Sequence, residues 1–212
     1  PGVTQGTAQD TLLATYNDIA SVKSVFENNK GEIAAVILEP IAGNMGCVPP
    51  QKDFLEEVRK LCDENQSLLI FDEVMTGFRA KIGGAQELFN VKADIVTYGK
   101  VIGGGMPVGA FAGRSEIMNH LSPLGSVYQA GTLSGNPIAM RSGFTTLSLL
   151  RSDLDIFNRV AETARLLTKE LKSVFEEAGI QVCINQCTSM MTVFFGKEEV
   201  NNFEDAANAD HE

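Results

Sequence analysis

LLIFDEVMTGFR, residues 68–79, sets four apolar residues directly against an Asp-Glu pair and then breaks into a polar loop that contains Gly77. The apolar part predicts a buried strand over residues 68–74, with Asp72 and Glu73 at its carboxyl end. Two carboxylates at the end of a buried strand cost desolvation energy unless something nearby makes their charge tolerable. The surrounding chain shows what that could be.

On both sides of this stretch the hydrophobic period alternates between helix and strand. Residues 53–65 put Phe54, Leu55, Val58, Leu61 and Cys62 on one helical face, and Asp53-x-x-Glu56 reads as a capping box. Before them IAAVILEP (33–40) is a short apolar run without polar alternation, the pattern of a strand covered on both faces. Earlier still, Ile19, Val22 and Phe26 follow Asp18 at helical spacing and Gly31 stops the helix. Downstream, GGAQELFNV fits a short helix, and ADIVTYGK (93–100) is a third strand that ends in Lys100. Strands separated by helices imply parallel βαβ units with right-handed crossovers. The fold class is α/β.

Past Lys100 a glycine-rich turn leads into VGAFAG, a further strand of the sheet. Asn136 caps a helix that Pro137 begins. A long helix over 153–178 aligns Ile156, Val160, Ala164, Leu167, Leu171 and Val174 in one stripe, and Gly179 ends it. IQVCINQ and SMMTVFFG then read as two strands. The expected division is a large domain over 1–150 and the incomplete start of a smaller α+β domain over 151–212.

Composition narrows the function. A formal net charge of −10 with 17 Lys and Arg argues against a nucleic-acid partner. No apolar run approaches the roughly 20 residues of a membrane span, and no secretory leader opens the sequence, so a membrane or secreted role is not expected; the default expectation is a cytoplasmic setting, with a plastid as the alternative. Cys47, Cys62, Cys183 and Cys187 are scattered, and with His120 and His211 far apart a metal site is not expected.

Ligands of an open parallel sheet bind beyond the carboxyl ends of its strands. Three consecutive strands here end in Glu39, in Asp72 with Glu73, and in Lys100. Taken singly, such an acid is as readily a helix cap or surface ion pair, and such a lysine is ordinarily solvated. A Walker B strand also ends in Asp-Glu, but its phosphate loop is missing: Gly99-Lys100 has Asp94 where the first glycine belongs and Val101 where Ser or Thr belongs. GGGMPVG does not give G-x-G-x-x-G in register after a first strand. The chemistry left for a converging Asp and Lys is that of pyridoxal phosphate. A lysine amine joins the aldehyde, and a carboxylate holds the proton on the ring nitrogen.

LEPIAGNMGCVPP (38–50), the opening stretch, TYGKVIGGGMPVGAFAG (97–113) and VYQAGTLSGNPIAM (127–140) together resemble the class III pyridoxal-phosphate aminotransferases of fold type I. Met75, GNMGCVPP and YQAGTLSGNP are, within that class, similar to the glutamate-1-semialdehyde aminomutase branch. The resemblance implies Lys100 as the Schiff-base lysine and proton shuttle, and Asp72 as partner of the pyridinium. It implies Asn44 near the ring hydroxyl and Val74 packed under the ring, with Glu73 behind them. A turn-forming Asn and ordinary core burial are the simpler readings of Asn44 and Val74.

Gly131 and Thr132, with Ser134 beside them, resemble the loop that reaches the cofactor phosphate of a neighbouring subunit, which implies a homodimer with shared sites; a helix cap is the alternative. The implied reaction cycles pyridoxamine 5'-phosphate and pyridoxal 5'-phosphate to turn glutamate-1-semialdehyde into 5-aminolevulinate for tetrapyrrole synthesis. A conventional omega-amino transaminase and a non-catalytic remnant are the other readings. The resemblance covers only half of such an enzyme, without its Ser-Gly-Thr phosphate turn, ring-stacking aromatic and substrate arginine, so the isolated chain is expected to be inactive.

Overall fold

The computed structural model describes residues 2–210; His211 lies outside them. In chain order its elements are α1 (Gln5–Gln9), α2 (Ile19–Asn28), β1 (Ala35–Leu38), α3 (Phe54–Glu64), β2 (Leu68–Asp72), α4 (Gly84–Phe89) and β3 (Ile95–Tyr98). A 3-10 turn over Lys100–Gly103 follows, and then β4 (Ala110–Gly113), α5 (Ser115–Met118), α6 (Pro137–Ser152), α7 (Ile156–Glu177), β5 (Val182–Cys187), β6 (Met190–Phe195) and α8 (Phe203–Ala207). The first sheet has the order β1-β2-β3-β4, parallel through β3 and closed by an antiparallel β4. The second is the antiparallel pair β5-β6.

The expected α/β alternation therefore forms, and its core explains why. Val22 and Phe26 of α2, the α3 face Phe54, Leu55, Val58, Leu61 and Cys62, and Leu69, Phe71 and Val96 of the strands make one buried cluster. Each large side chain buried there contributes about 1.5–3 kcal/mol of transfer free energy. Because strand side chains alternate, Leu69 and Phe71 face these helices and Asp72 points to the opposite side of the sheet.

Three details depart from the sequence expectations. β1 is not covered on both faces: α2 and α3 pack on the same side, and Ile37 is 64% exposed on the other. The capping box at Asp53 does not form, because Asp53 sits in the left-handed region (φ 64°) and its side chain accepts nothing from α3. Capping requires an extended conformation, which would aim that oxygen back at the helix.

The third concerns α7, which starts at Ile156, since Asp153 ends α6. Its packed stripe is rotated relative to the expected one and runs through Phe157, Ala161, Ala164, Thr168, Leu171 and Phe175. Phe175 meets Phe195 edge-on at 5.4 Å between ring centroids, and Thr168 contacts the Met191 sulfur at 3.7 Å. The helix carries two overlapping apolar stripes, and the narrow β5-β6 hairpin covers one of them. Val160, Leu167 and Val174 on the other remain exposed.

Among the described residues no helix is long and apolar enough to cross a membrane, and no group of three or more His, Cys, Asp or Glu is placed to hold a metal.

Candidate cofactor site at the strand ends

Parallel pairing sets Asp72 opposite Thr97 in the register of β2 and β3. The Thr97 hydroxyl lies 3.3 Å from Asp72 Oδ1, and the same oxygen accepts the Val74 N–H at 3.0 Å. Two donors from two strand ends thus fix the half-buried carboxylate. Oδ2 accepts no hydrogen bond among the described residues and is left for a ligand.

Lys100 follows Thr97 by three residues, within about 10 Å of extended chain. Its backbone takes a left-handed conformation (φ 48°) directly after an extended Gly99, an uncommon geometry for a non-glycine residue that turns the chain sharply off the sheet edge. The side chain is exposed and forms no ion pair or hydrogen bond among the described residues. Helix α6 holds the turn after it. Ser142 donates to the Gly104 carbonyl at 2.8 Å, and Gly143 lies so close to the Ile102 carbonyl that any Cβ there would collide with it.

The loops after the first three strands interlock at this edge. Glu39 accepts the Gly43 N–H at 2.8 Å and the Asn44 side-chain amide at 3.1 Å. Gly43 is pressed against Met75, where an added Cβ would stand 3.0 Å from Cγ. Val74 packs on Gly99 in the same way, 3.1 Å from the place of a Cβ. Asp72 at the end of β2, and Asn44, Val74 and Lys100 on the segments that follow β1, β2 and β3, therefore sit at the carboxyl end of the sheet, with Val74 between the aspartate's strand and the lysine's turn.

Gly131 and Thr132 are placed differently. They occupy an exposed turn, closed by the Ser134 N–H on the Gly131 carbonyl at 2.9 Å, which leads into α6. Asn136 caps that helix through the Ile138 and Ala139 N–H groups, with Pro137 at its start, as its sequence predicts. No hydrogen bond joins the 131–134 turn to Asp72 or Lys100 among the described residues.

Sequence reasoning missed the partners that orient the acids. Thr97 is the one aliphatic hydroxyl within β3, and pairing the strands by their ends would have put it beside Asp72. Glu73 is fully buried (0% exposed) and accepts hydrogen bonds from the Thr76 hydroxyl at 2.9 Å and the Ala85 N–H at 2.6 Å. Burial pushes its pKa up, against the pull of the Ala85 N–H, the Thr76 hydroxyl and the Gln86 N–H. Burial also raises the Tyr98 phenol, and the Glu73 charge raises it further.

The geometry suits a flat ligand with a proton-bearing ring atom that meets Asp72 Oδ2 and a carbonyl carbon within reach of an unpaired amine. Residues 1–209 match the family described as aminotransferase class-III. The chain is 60% identical over 212 residues to a protein of Flavobacterium psychrophilum named glutamate-1-semialdehyde 2,1-aminomutase, and 56% identical over 209 residues to the protein of that name from Acetivibrio thermocellus. It spans all of itself against 50% of the first and 99% against 48% of the second, so it is about half the length of the curated relatives it matches. The crystal structure of an omega-transaminase from Sphaerobacter thermophilus superposes with a TM-score of 0.90 at 29% identity, over 97% of this chain and 47% of that one. A glutamate-1-semialdehyde aminomutase of Pseudomonas aeruginosa in complex with PMP shares the fold at a TM-score of 0.83 and 22% identity, over 99% of this chain and 48% of that one. Strand-end geometry, motifs and these similarities agree: the chain belongs to the class III aminotransferases.

Proposed function

We propose that this chain is the part of a glutamate-1-semialdehyde 2,1-aminomutase that carries its catalytic lysine and aspartate. The observation that supports the reading most is an unpaired Lys100 amine just past the end of β3, the strand next to β2, together with a carboxylate at the end of β2 whose Oδ1 is already fixed and whose Oδ2 is free. Those two groups fit pyridoxal 5'-phosphate, which when bound supplies an aldehyde to a lysine and a ring that accepts electrons.

In this reading Asp72 Oδ2 holds the proton on the ring nitrogen, and the interior tolerates its charge because an opposite one stands against it. The Lys100 amine would bond to the cofactor in its pyridoxal form and, when free of it, would move protons to and from the substrate carbon. Val74 packs beneath the ring, and Asn44, held by Glu39, faces its hydroxyl. Gly131 and Thr132 offer a backbone N–H and a hydroxyl to the phosphate in a neighbouring subunit, which makes the working unit a homodimer.

The reaction moves the amino group within one substrate, from glutamate-1-semialdehyde to 5-aminolevulinate through a diaminovalerate, with pyridoxamine 5'-phosphate as the starting form. The division into a cofactor-binding part over 1–150 and a smaller part from 151 onward belongs to the same reading, as does a cytoplasmic setting. The similarity to the Sphaerobacter omega-transaminase supports a second reading, in which a separate keto acid accepts the amino group. Assay of the full-length protein separates the two. The aminomutase makes 5-aminolevulinate from glutamate-1-semialdehyde with no acceptor added, whereas strict dependence on an added keto acid would favour the transaminase.

A further inference from the structure

Asp72 and Glu73 are adjacent, point to opposite sides of the chain and meet opposite fates. Asp72 stands half-buried at the sheet edge, while Glu73 is wholly enclosed. The Glu73 carboxylate accepts the Thr76 hydroxyl, the Ala85 N–H at 2.6 Å and the Gln86 N–H at 3.3 Å, so it closes the first turn of α4 from outside the helix. Space for it exists because Gly84 is a glycine. A Cβ there would collide with the Glu73 carboxylate, and the left-handed φ of 69° would strain any other residue.

The backbone of Glu73 is tied as tightly. Its N–H donates to the Thr97 carbonyl at 3.0 Å, extending the β2-β3 pairing by one residue, and its carbonyl accepts the Gly77 N–H at 2.8 Å. One residue thus joins β3, the 73–77 turn and α4. The peptide that follows it carries the Val74 N–H, which donates to Asp72 Oδ1. The direction in which Asp72 offers Oδ2 depends on where that N–H lies, and Glu73 fixes it.

We infer that Glu73 is a positioning residue for the cofactor, acting through the 73–74 peptide on the orientation of Asp72. The inference rests on the reading of Asp72 as the ring-nitrogen partner. Buried charge with good partners holds geometry more firmly than a neutral group, and removing one of its donors leaves an unsatisfied polar atom rather than a relaxed one. Loss of the outer partners that orient a ligand-holding side chain typically costs about 10- to 100-fold in affinity where it has been measured at metal sites.

The test uses the full-length protein and pyridoxal phosphate itself, with two readouts taken well below the unfolding temperature: equilibrium affinity, and the pH titration of the bound cofactor's visible band. Glu73→Gln turns an amide nitrogen toward either the Ala85 N–H, on the Oε2 side, or the Gln86 N–H, on the Oε1 side. It is expected to weaken affinity about tenfold and to displace the titration midpoint in the direction that Asp72→Asn displaces it. Thr76→Val, which removes one donor, is expected to do the same to a smaller degree, and it stands in if Glu73→Gln does not fold.

Wild-type affinity and an unmoved midpoint in a folded Glu73→Gln protein, or in Thr76→Val where that is the variant in hand, would overturn the inference, since a residue serving only fold stability changes the unfolding temperature and neither readout. If the wild-type protein takes up no pyridoxal phosphate, or Asp72→Asn moves neither readout, the reading of the site itself fails and carries the inference with it.

Discussion

Thr97 and Asp72 face each other across the parallel strands β3 and β2, with the hydroxyl 3.3 Å from the carboxylate oxygen that also holds the Val74 N–H. That contact lets a half-buried acid keep one oxygen occupied by protein and the other available. Thr97→Val keeps the shape and removes one donor. A hydrogen bond to a charged group contributes about 1.5–3 kcal/mol, part of which solvent restores here, so a fall of about fivefold in cofactor affinity is expected in the full-length protein with little change in fold. Unchanged affinity by titration would remove Thr97 from the site.

Asp72→Asn isolates the charge from the shape. An asparagine can still accept the Val74 N–H and the Thr97 hydroxyl, but the group at the Oδ2 position is then neutral or a donor and no longer holds a proton on the ring. Turnover should drop by about 100-fold or more while thermal stability stays close to wild type. Steady-state rates and a melting curve on the same sample check both halves.

Gly143 supports the turn after Lys100 from outside the site. Gly143→Ala puts a methyl group into the Ile102 carbonyl, so either α6 or the Lys100–Gly103 turn must move. Overpacking of this kind costs about 1–3 kcal/mol. A lower melting temperature together with a weaker lysine-linked absorbance is expected, and a variant that matches wild type in both would show that the turn is not held by this contact.

Asp94 is the clearest source of acid sensitivity outside the site. Burial by itself pushes its carboxyl up, but the Leu69 N–H at 2.7 Å and the Arg59 guanidinium at 2.8 Å outweigh that and hold the pKa below the usual value, with Arg114 at 3.3 Å adding to it. A carboxyl depressed in the folded state stabilises the protein above its unfolded pKa of about 3.9, and that contribution is lost as pH falls through the lower folded value. Asp94→Asn should lose about 3 kcal/mol at neutral pH and show a smaller further loss below about pH 4. Denaturant unfolding at several pH values measures it.

The fold was legible where one residue type answers one physical demand. Phe54, Leu55, Val58, Leu61 and Cys62 had a single helical face to bury, and Asn136-Pro137 is a capping pair with one sensible use. Legibility failed where two solutions share the same residues. Ala164 and Leu171 belong to both apolar stripes of α7, and only the width of the β5-β6 hairpin decides which stripe packs. Asp53 had the right residue type for a cap, but the turn before α3 gave it the wrong φ.

At the site, Lys100 and Asp72 could be read from strand ends because ligands of parallel sheets gather there. The buried partner network of Glu73 could not. It is built from backbone N–H groups of a helix 12 and 13 residues further along the chain, and those carry no sequence signature.

The central claim is that Lys100 makes the covalent link to pyridoxal phosphate. Borohydride reduction of the full-length protein reconstituted with pyridoxal 5'-phosphate, followed by digestion and mass spectrometry, tests it directly. The account predicts a phosphopyridoxyl group on the peptide that contains Lys100 and none in Lys100→Ala. A label on another lysine, or no stable label in wild-type protein that has taken up the cofactor, would contradict it.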